Sequence, residues 1–186
     1  PGLYGIELLN EPGDSVKRPY EDDMRREMVA FYHEAYAVIR EYSDSVVVVF
    51  CVLYWFDYWA WVHELREPTH INVARDGHRY AAVDGFTKHT PKQFLEAAAH
   101  SMNCKLRTHA YHHALLVGEW SFSAGAHSPT RSLVDGEFEA FELSLGWFFW
   151  TVKTMHHSLA GSPPWDLVWA VDGYTPDRPD YLEPDG

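Results

Sequence analysis

The sequence holds 186 residues (21.5 kDa), enough for one domain with a real core, and its 46% apolar and 23% charged residues exclude a disordered tail. Lys and Arg number 15 against 27 Asp and Glu, a formal charge of −12, which leaves no basic footprint for nucleic acid and disfavours anionic membrane surfaces. The longest apolar stretch, Ser45 to Val62, is interrupted by Asp57, so no run reaches the roughly 18 to 20 residues that span a bilayer.

The chain opens Pro1-Gly2-Leu3-Tyr4-Gly5, without an initiator Met, a basic start or a signal-peptide core. It is expected to begin inside something longer or to have been processed. Tyr4 to Leu9 reads as a short strand ending at Asn10-Glu11-Pro12. Glu21 to Tyr42 is the clearest helix. Met24, Met28, Phe31, Tyr32, Ala35, Val38 and Ile39 recur at three- and four-residue spacing, and Glu21, Asp22 and Asp23 occupy the first turn, where the helix dipole favours negative charge. Ser45 to Phe50 is β-branched and almost continuously apolar, as in a parallel strand buried on both faces. Trp59 to Leu65 reads as a short helix. His70 to Ala74 is a weaker strand that leads into Asp76-Gly77-His78-Arg79-Tyr80.

Thr90-Pro91 opens a helix to about Leu106, with Thr90 as cap and Pro91 at the first helical position. Ala114 to Gly118 is another buried-type strand, ending at Glu119-Trp120-Ser121. Leu133 to Leu145 is helical, Gly146 to Val152 a strand, and Pro164 to Val171 a last short helix. Five strands with helical crossovers predict a parallel α/β sheet. Neither GxGxxG after the first strand nor GxxxxGK[ST] is present, so nucleotide-binding doubly wound folds lose support. Cys51 and Cys104 make no disulfide framework; two buried free thiols are expected, with a single disulfide, or a cysteine whose partner lies outside this chain, as the alternatives.

In parallel α/β folds the chemistry gathers past the C-terminal ends of the strands. Glu11 and Glu119 each follow an apolar strand there, and a carboxylate is costly among apolar residues unless it is paired or useful. Two of them at equivalent strand ends suit the acid and the nucleophile of a glycosidase. Read alone, two carboxylates capping the segments that follow explain the pattern equally well.

Four motifs together resemble glycoside hydrolase family five, closest to its fungal and oomycete exo-β-1,3-glucanase branch. They are Gly5-Ile6-Glu7-Leu8-Leu9-Asn10-Glu11-Pro12, Asp76-Gly77-His78-Arg79-Tyr80, Val117-Gly118-Glu119-Trp120-Ser121, and Gly146-Trp147-Phe148-Phe149-Trp150 with Lys153. They come in the family's order. The resemblance implies a (β/α)8 barrel of which this chain carries strands four to eight, with residues 1–176 as the C-terminal portion of the catalytic domain and 177–186 as a tail. It implies Glu11 as general acid/base and Glu119 as nucleophile of a retaining reaction, with Asn10 on the sugar 2-hydroxyl. His78 and Tyr80 would hold the network around the nucleophile. Trp150 would offer a ring to the substrate. Glu11 must carry a proton as the cycle begins and Glu119 must be ionised. No metal and no organic cofactor is implied.

The substrate implied is a β-1,3-glucan attacked from its non-reducing end; β-1,4- and β-1,6-glucans are near alternatives. Extracellular or cell-wall action follows from the same resemblance. Strands one to three, which normally bring an Arg and a His to the sugar site, are absent. The chain is therefore expected to be inert alone, to expose sheet edges beside Tyr4–Leu9 and Trp147–Thr151, and to take its missing strands from the rest of a parent chain.

Two positions depart from the pattern. Val152 stands where the family usually has a second Trp, and strand alternation would put Trp150 on the same face, one step down. Phe50-Cys51 stands where the branch often has His-Asp after its fifth strand. These changes favour a rival reading, an inactive glucan-binding remnant.

Twelve His invite a metal hypothesis, but no His-Glu-x-x-His and no Cys-x-x-Cys is present among the clusters His109, His112, His113 and His156, His157. His112 and His113 are expected to start the strand that ends at Glu119. The rings from Tyr54 to Trp61 are expected to pack mostly as core, and Trp165 fits a core position or a subsite wall.

Overall fold

The computed structural model describes residues 2–12, 21–52, 61–80, 113–121, 131–152, 165 and 167. They form β1 (Gly5–Glu7), α1 (Glu21–Arg40), β2 (Val47–Cys51), β3 (Val73–Tyr80), β4 (Ala114–Ser121), α2 (Arg131–Phe141) and β5 (Trp147–Phe149). The strands are parallel and lie in one sheet in chain order. The architecture is a partial (β/α)8 barrel, as the sequence predicted. The chain divides into two compact units, Pro1–Gly77 with His109–Leu116, and His78–Thr108 with Val117–Gly186.

In the first unit, β1 pairs with β2 from Gly5↔Val47 to Glu7↔Val49. Backbone bonds extend the pairing on both sides: Val47 N–H donates to Tyr4 O and Leu8 N–H to Val49 O, each at 3.0 Å. Gly5 is required there, because a Cβ would sit 2.9 Å from Val47 O. Helix α1 puts Met24, Met28, Tyr32 and Tyr36 on one line at four-residue spacing. Met28 and Tyr32 are buried with Phe50, Trp61 and Leu65, and the other two pack against that cluster. The Tyr32 hydroxyl donates to the Cys51 carbonyl, fixing the helix over the end of β2. Arg40, at the helix end, donates to the carbonyls of Ser43, Val46, Ile71 and Asn72 and covers the Tyr36 ring. One cation thereby satisfies four loop carbonyls, which loops otherwise leave to water.

In the second unit, Trp120 is fully buried and is met edge-on by Phe138 and Phe141 of α2 and by Trp147 and Phe149 of β5. Ala140 and Phe141 complete this side. The contact is ring against ring with tilted planes, the arrangement the aromatic quadrupole favours.

Several boundaries differ from the sequence reading. Trp61 belongs to a 3₁₀ turn, residues 62–65 continue as turn and bend with Glu64 N–H on Trp61 O, Leu65 has a left-handed backbone, φ 48°, and the start of the expected helix at Trp59 lies outside the described residues. Strand β3 starts at Val73 rather than His70 and runs through Asp76-Gly77-His78-Arg79-Tyr80, so that motif is strand and not strand end. The polar residues hid the alternation: Asp76, His78 and Tyr80 share one face. Glu119 and Cys51 likewise lie inside their strands. Strand β5 stops at Phe149, so alternation places neither Trp150 nor Val152. Phe31 and Val38 of α1 are exposed rather than core. His113 immediately precedes β4 and Trp61 is core, as expected. Cys51 is a buried free thiol, whereas Cys104, the predicted helix from Thr90, the rings from Tyr54 to Trp59, His112, His156 and the tail lie outside the described residues.

Both sheet edges carry exposed apolar side chains: Leu3, Tyr4, Ile6 and Leu9 at β1, and Trp147, Phe148, Trp150 and Val152 at β5. No described helix is long and apolar enough to cross a membrane.

Candidate active site

The geometry around Glu119 begins with an irregularity in β4. Val117 pairs with Trp147 and Trp120 with Phe149, so a step of three residues along β4 matches a step of two along β5. Trp147 and Phe149 share a face, and Val117 and Trp120 therefore share it too. A bulge at Gly118-Glu119 does this, and it turns the Glu119 side chain to the opposite face from Trp120. In a regular strand Glu119 would follow Val117 onto the helix side.

There it meets the polar face of β3. Tyr80 Oη donates to Glu119 Oε2 at 2.5 Å, the length of a charge-assisted O–H···O bond. His78 Nδ1 lies 3.5 Å from the same oxygen. The His78 side chain is 3% exposed and that of Glu119 15%, so both contacts act with little screening by water. Among the described residues, no hydrogen bond is made to Glu119 Oε1. Tyr80 thus fixes one carboxylate oxygen, with the His78 ring close beside it. Trp165 packs on Tyr80, ring centroids 5.0 Å apart, and steadies its phenol. The sequence fits Trp165 to a core position or a subsite wall, and nothing in it signals the contact with Tyr80.

Trp150 N–H donates to Trp120 O at 2.7 Å, which anchors its backbone to β4. Its side chain is 53% exposed, an open ring surface of the kind that stacks on a sugar face. The Trp150–Thr151 peptide is cis. Val152, where the family pattern has a second Trp, is also exposed.

In the first unit, Leu8 and Leu9 lead from β1 to Asn10 and Glu11. Glu11 has φ 39°, a left-handed conformation that is rare for a side-chain-bearing residue, and rarer still before proline. Such strain persists only when the surroundings impose it, and it clusters at functional positions. Asn10 is exposed and Glu11 half-buried.

Beside them sits Cys51, at the end of β2. Burial first, and then the negative charge of Asp76, push its thiol far above the ordinary range; Glu7 and Glu11 add to this, and the Glu11 backbone N–H opposes it. Cys51 is therefore neutral where the family often has a carboxylate. Glu7, Cys51 and Asp76 each offer a ligand atom within 4.8 Å of one another, so this trio could hold a cation once the thiol is deprotonated. Sequence reasoning quoted Glu7 and Asp76 inside motifs without giving them a role.

No protein-family model matches the chain. It is 25% identical over 200 residues to glucan 1,3-beta-glucosidase 1 of Schizosaccharomyces pombe, a match covering 91% of this chain and 46% of that protein. The chain thus spans about half the length of this curated relative. Its fold superposes on rutinosidase from Aspergillus niger with a TM-score of 0.65 at 19% identity, over 91% of this chain and 50% of that one. Endo-glycoceramidase II from Rhodococcus sp. follows at 0.53 and 16%, over 95% and 38%. Sequence and fold together bear out the resemblance to the glucanases of glycoside hydrolase family five.

Proposed function

We propose that this domain carries the general acid/base and the nucleophile of a retaining β-glucanase. The observation that supports this most is the Glu119 carboxylate, with Oε2 held by Tyr80 beside the His78 ring and Oε1 without a hydrogen bond among the described residues. In the first step Oε1 attacks the anomeric carbon while Glu11 gives its proton to the leaving glycosidic oxygen. The C–O bond breaks and a glycosyl ester of Glu119 forms. In the second step Glu11 takes a proton from water, the water oxygen attacks the same carbon, and the ester bond breaks with net retention. Asn10 bonds the sugar 2-hydroxyl and Trp150 stacks on the ring. None of these steps uses a metal or an organic cofactor.

The Schizosaccharomyces relative supports a β-1,3-glucan as substrate, and attack at its non-reducing end rests on the family resemblance of the four motifs. Action on such a polymer fits an extracellular or cell-wall site. The exposed apolar edges at β1 and β5 support completion of the barrel by further strand–helix units, and we propose that turnover requires them. A second reading, glucan binding without turnover, is favoured by the exposed Val152 and by Cys51 in place of a carboxylate.

The test is hydrolysis of laminarin by this chain, by a version extended upstream through three strands, and by the extended Glu119→Gln. The proposal expects glucose from the extended version alone, and a fall of about 10⁴-fold or more in kcat on Glu119→Gln. An extended version that binds the glucan without cleaving it would establish the second reading.

A further inference from the structure

We propose that His33 and His70 form a binding site for one borderline divalent cation, zinc above all, where α1 meets the segment 61–72. Nothing in the proposed hydrolysis uses these residues. His33 Nδ1 and His70 Nε2 face each other at 3.1 Å. A tetrahedral zinc ion with bonds of about 2.0–2.1 Å holds two nitrogens roughly 3.3 Å apart, so the pair stands close to ligand spacing already.

The outer nitrogens are occupied as a metal site requires. His33 Nε2 lies 3.3 Å from Glu64 Oε2, and His70 Nδ1 lies 3.1 Å from Thr69 Oγ1. Histidines that bind metals give their other N–H to a carboxylate or oxygen partner in this way, which fixes tautomer and ring orientation. The Glu64 backbone carbonyl accepts from His113 Nε2 at 2.7 Å, so the carboxylate partner is itself anchored.

Proton counting points the same way. The Glu64 carboxylate can only accept, so His33 carries its proton on Nε2 and leaves a lone pair on Nδ1. Thr69 Oγ1 donates to Arg66 O at 2.9 Å. Its one proton is then spent, so His70 donates from Nδ1 and leaves a lone pair on Nε2. The two lone pairs meet at the central 3.1 Å contact. Neutral rings close the chain only if Thr69 turns away from Arg66 O and donates to His70 instead. A cation between the rings lets every contact stand as it is.

The site is also rigid and open. His33, Tyr36 and Arg40 lie along one side of α1. Arg40 holds Ile71 O and Asn72 O at 2.7 and 3.0 Å, Tyr36 Oη accepts from Ile71 N–H at 2.9 Å, and the His70 N–H donates to Arg66 O. The Tyr36 ring meets His70 edge-on at 4.7 Å. Both histidines are therefore placed before a metal arrives. The His33 side chain is 40% exposed, so water can complete the coordination shell. A cation here would pin the 61–72 segment to the helix.

The experiment is a zinc titration of the chelator-treated chain by calorimetry, with Tm followed in parallel. One stoichiometric step and a rise in Tm are expected. His33→Gln and His70→Gln should each weaken that step at least tenfold and remove the rise, and Glu64→Gln should weaken it about 10- to 100-fold. The ten other histidines would give weaker steps that these variants leave in place. Long-range ¹H–¹⁵N spectra of the unaltered chain read the same point without mutation: zinc should shift His33 Nδ1 and His70 Nε2 first. Absence of a stoichiometric step in the parent, a step unchanged in both His variants, or spectra in which other histidines respond first would each overturn the proposal.

Discussion

Strands β4 and β1 each lead to a glutamate proposed for chemistry, and they hold it by different means. Glu119 is set by side chains. A bulge aims it, Tyr80 binds one of its oxygens, and the His78 ring lies beside that oxygen. Glu11 is set by backbone. It sits at φ 39° between Asn10 and Pro12, beside a cluster in which Glu7 and Asp76 surround the protonated thiol of Cys51. A nucleophile needs a fixed, ionised oxygen, and donors give it one. A general acid has to give up and regain a proton in each cycle, and the left-handed turn at Glu11 fixes where its carboxyl is presented.

The largest effect that would break this contrast lies at Glu11. Glu11→Gln in the barrel-completed protein should lower kcat on laminarin about 10²- to 10⁴-fold. The loss should be much smaller for an aryl β-glucoside whose phenolate leaves without a proton. Equal losses on both substrates would remove Glu11 from the acid role. Next comes Tyr80→Phe, which deletes only the hydroxyl on Glu119 Oε2. A hydrogen bond to a charged group contributes about 1.5–3 kcal/mol, so kcat/KM should fall roughly 10- to 100-fold. Because Trp165 packs on the ring and not on the hydroxyl, Tm should hardly move. A Tm loss as large as the activity loss would make Tyr80 a packing residue.

How far the sequence carried depends on which kind of placement was at work. The Asp-x-His-x-Tyr spacing put His78 and Tyr80 on one face, and the structure joins both to Glu119. Period-four apolar residues on α1 located Met28 and Tyr32, but the same pattern also took in Phe31 and Val38, which are exposed. The bulge in β4 left no trace, because Val117-Gly118-Glu119-Trp120 reads as plain strand and the extra residue shows only against β5. The Glu64–His33–His70–Thr69 chain joins residues up to 37 positions apart, and nothing in local pattern could bring them together.

The pairing that carries Glu11 can be probed at Gly5. A Cβ there would meet Val47 O at 2.9 Å and the Val47 Cβ at 3.2 Å, and backbone cannot yield as a flexible side chain does. Gly5→Ala should therefore destabilise the chain by about 1–3 kcal/mol, read as a lower midpoint in urea. Tyr80→Phe should leave that midpoint unchanged. If Gly5→Ala is silent, β1 is not pressed on β2 and the turn at Glu11 loses its support.

The smallest effect is one of pH, and it tests the buried thiol. Below about pH 8.5, Cys51 is protonated whether the chain is folded or not, and it contributes no slope. Above that, the unfolded chain releases the proton, while burial and the nearby carboxylates keep it on the folded one. The folded state then binds more protons than the unfolded state, so stability must fall as pH rises, by up to about 1.4 kcal/mol per pH unit. Tyr32, raised chiefly by its own burial, adds a second loss above about pH 10. Cys51→Ala should flatten the segment between pH 8.5 and 10 and leave the steeper fall beyond it. Cys51→Asp should do the opposite at neutral pH, since it places a fresh charge among Glu7, Glu11 and Asp76. An unaltered slope in Cys51→Ala would mean that the thiol is not held neutral at the end of β2, and the account of why a cysteine stands beside the strained glutamate would fail with it.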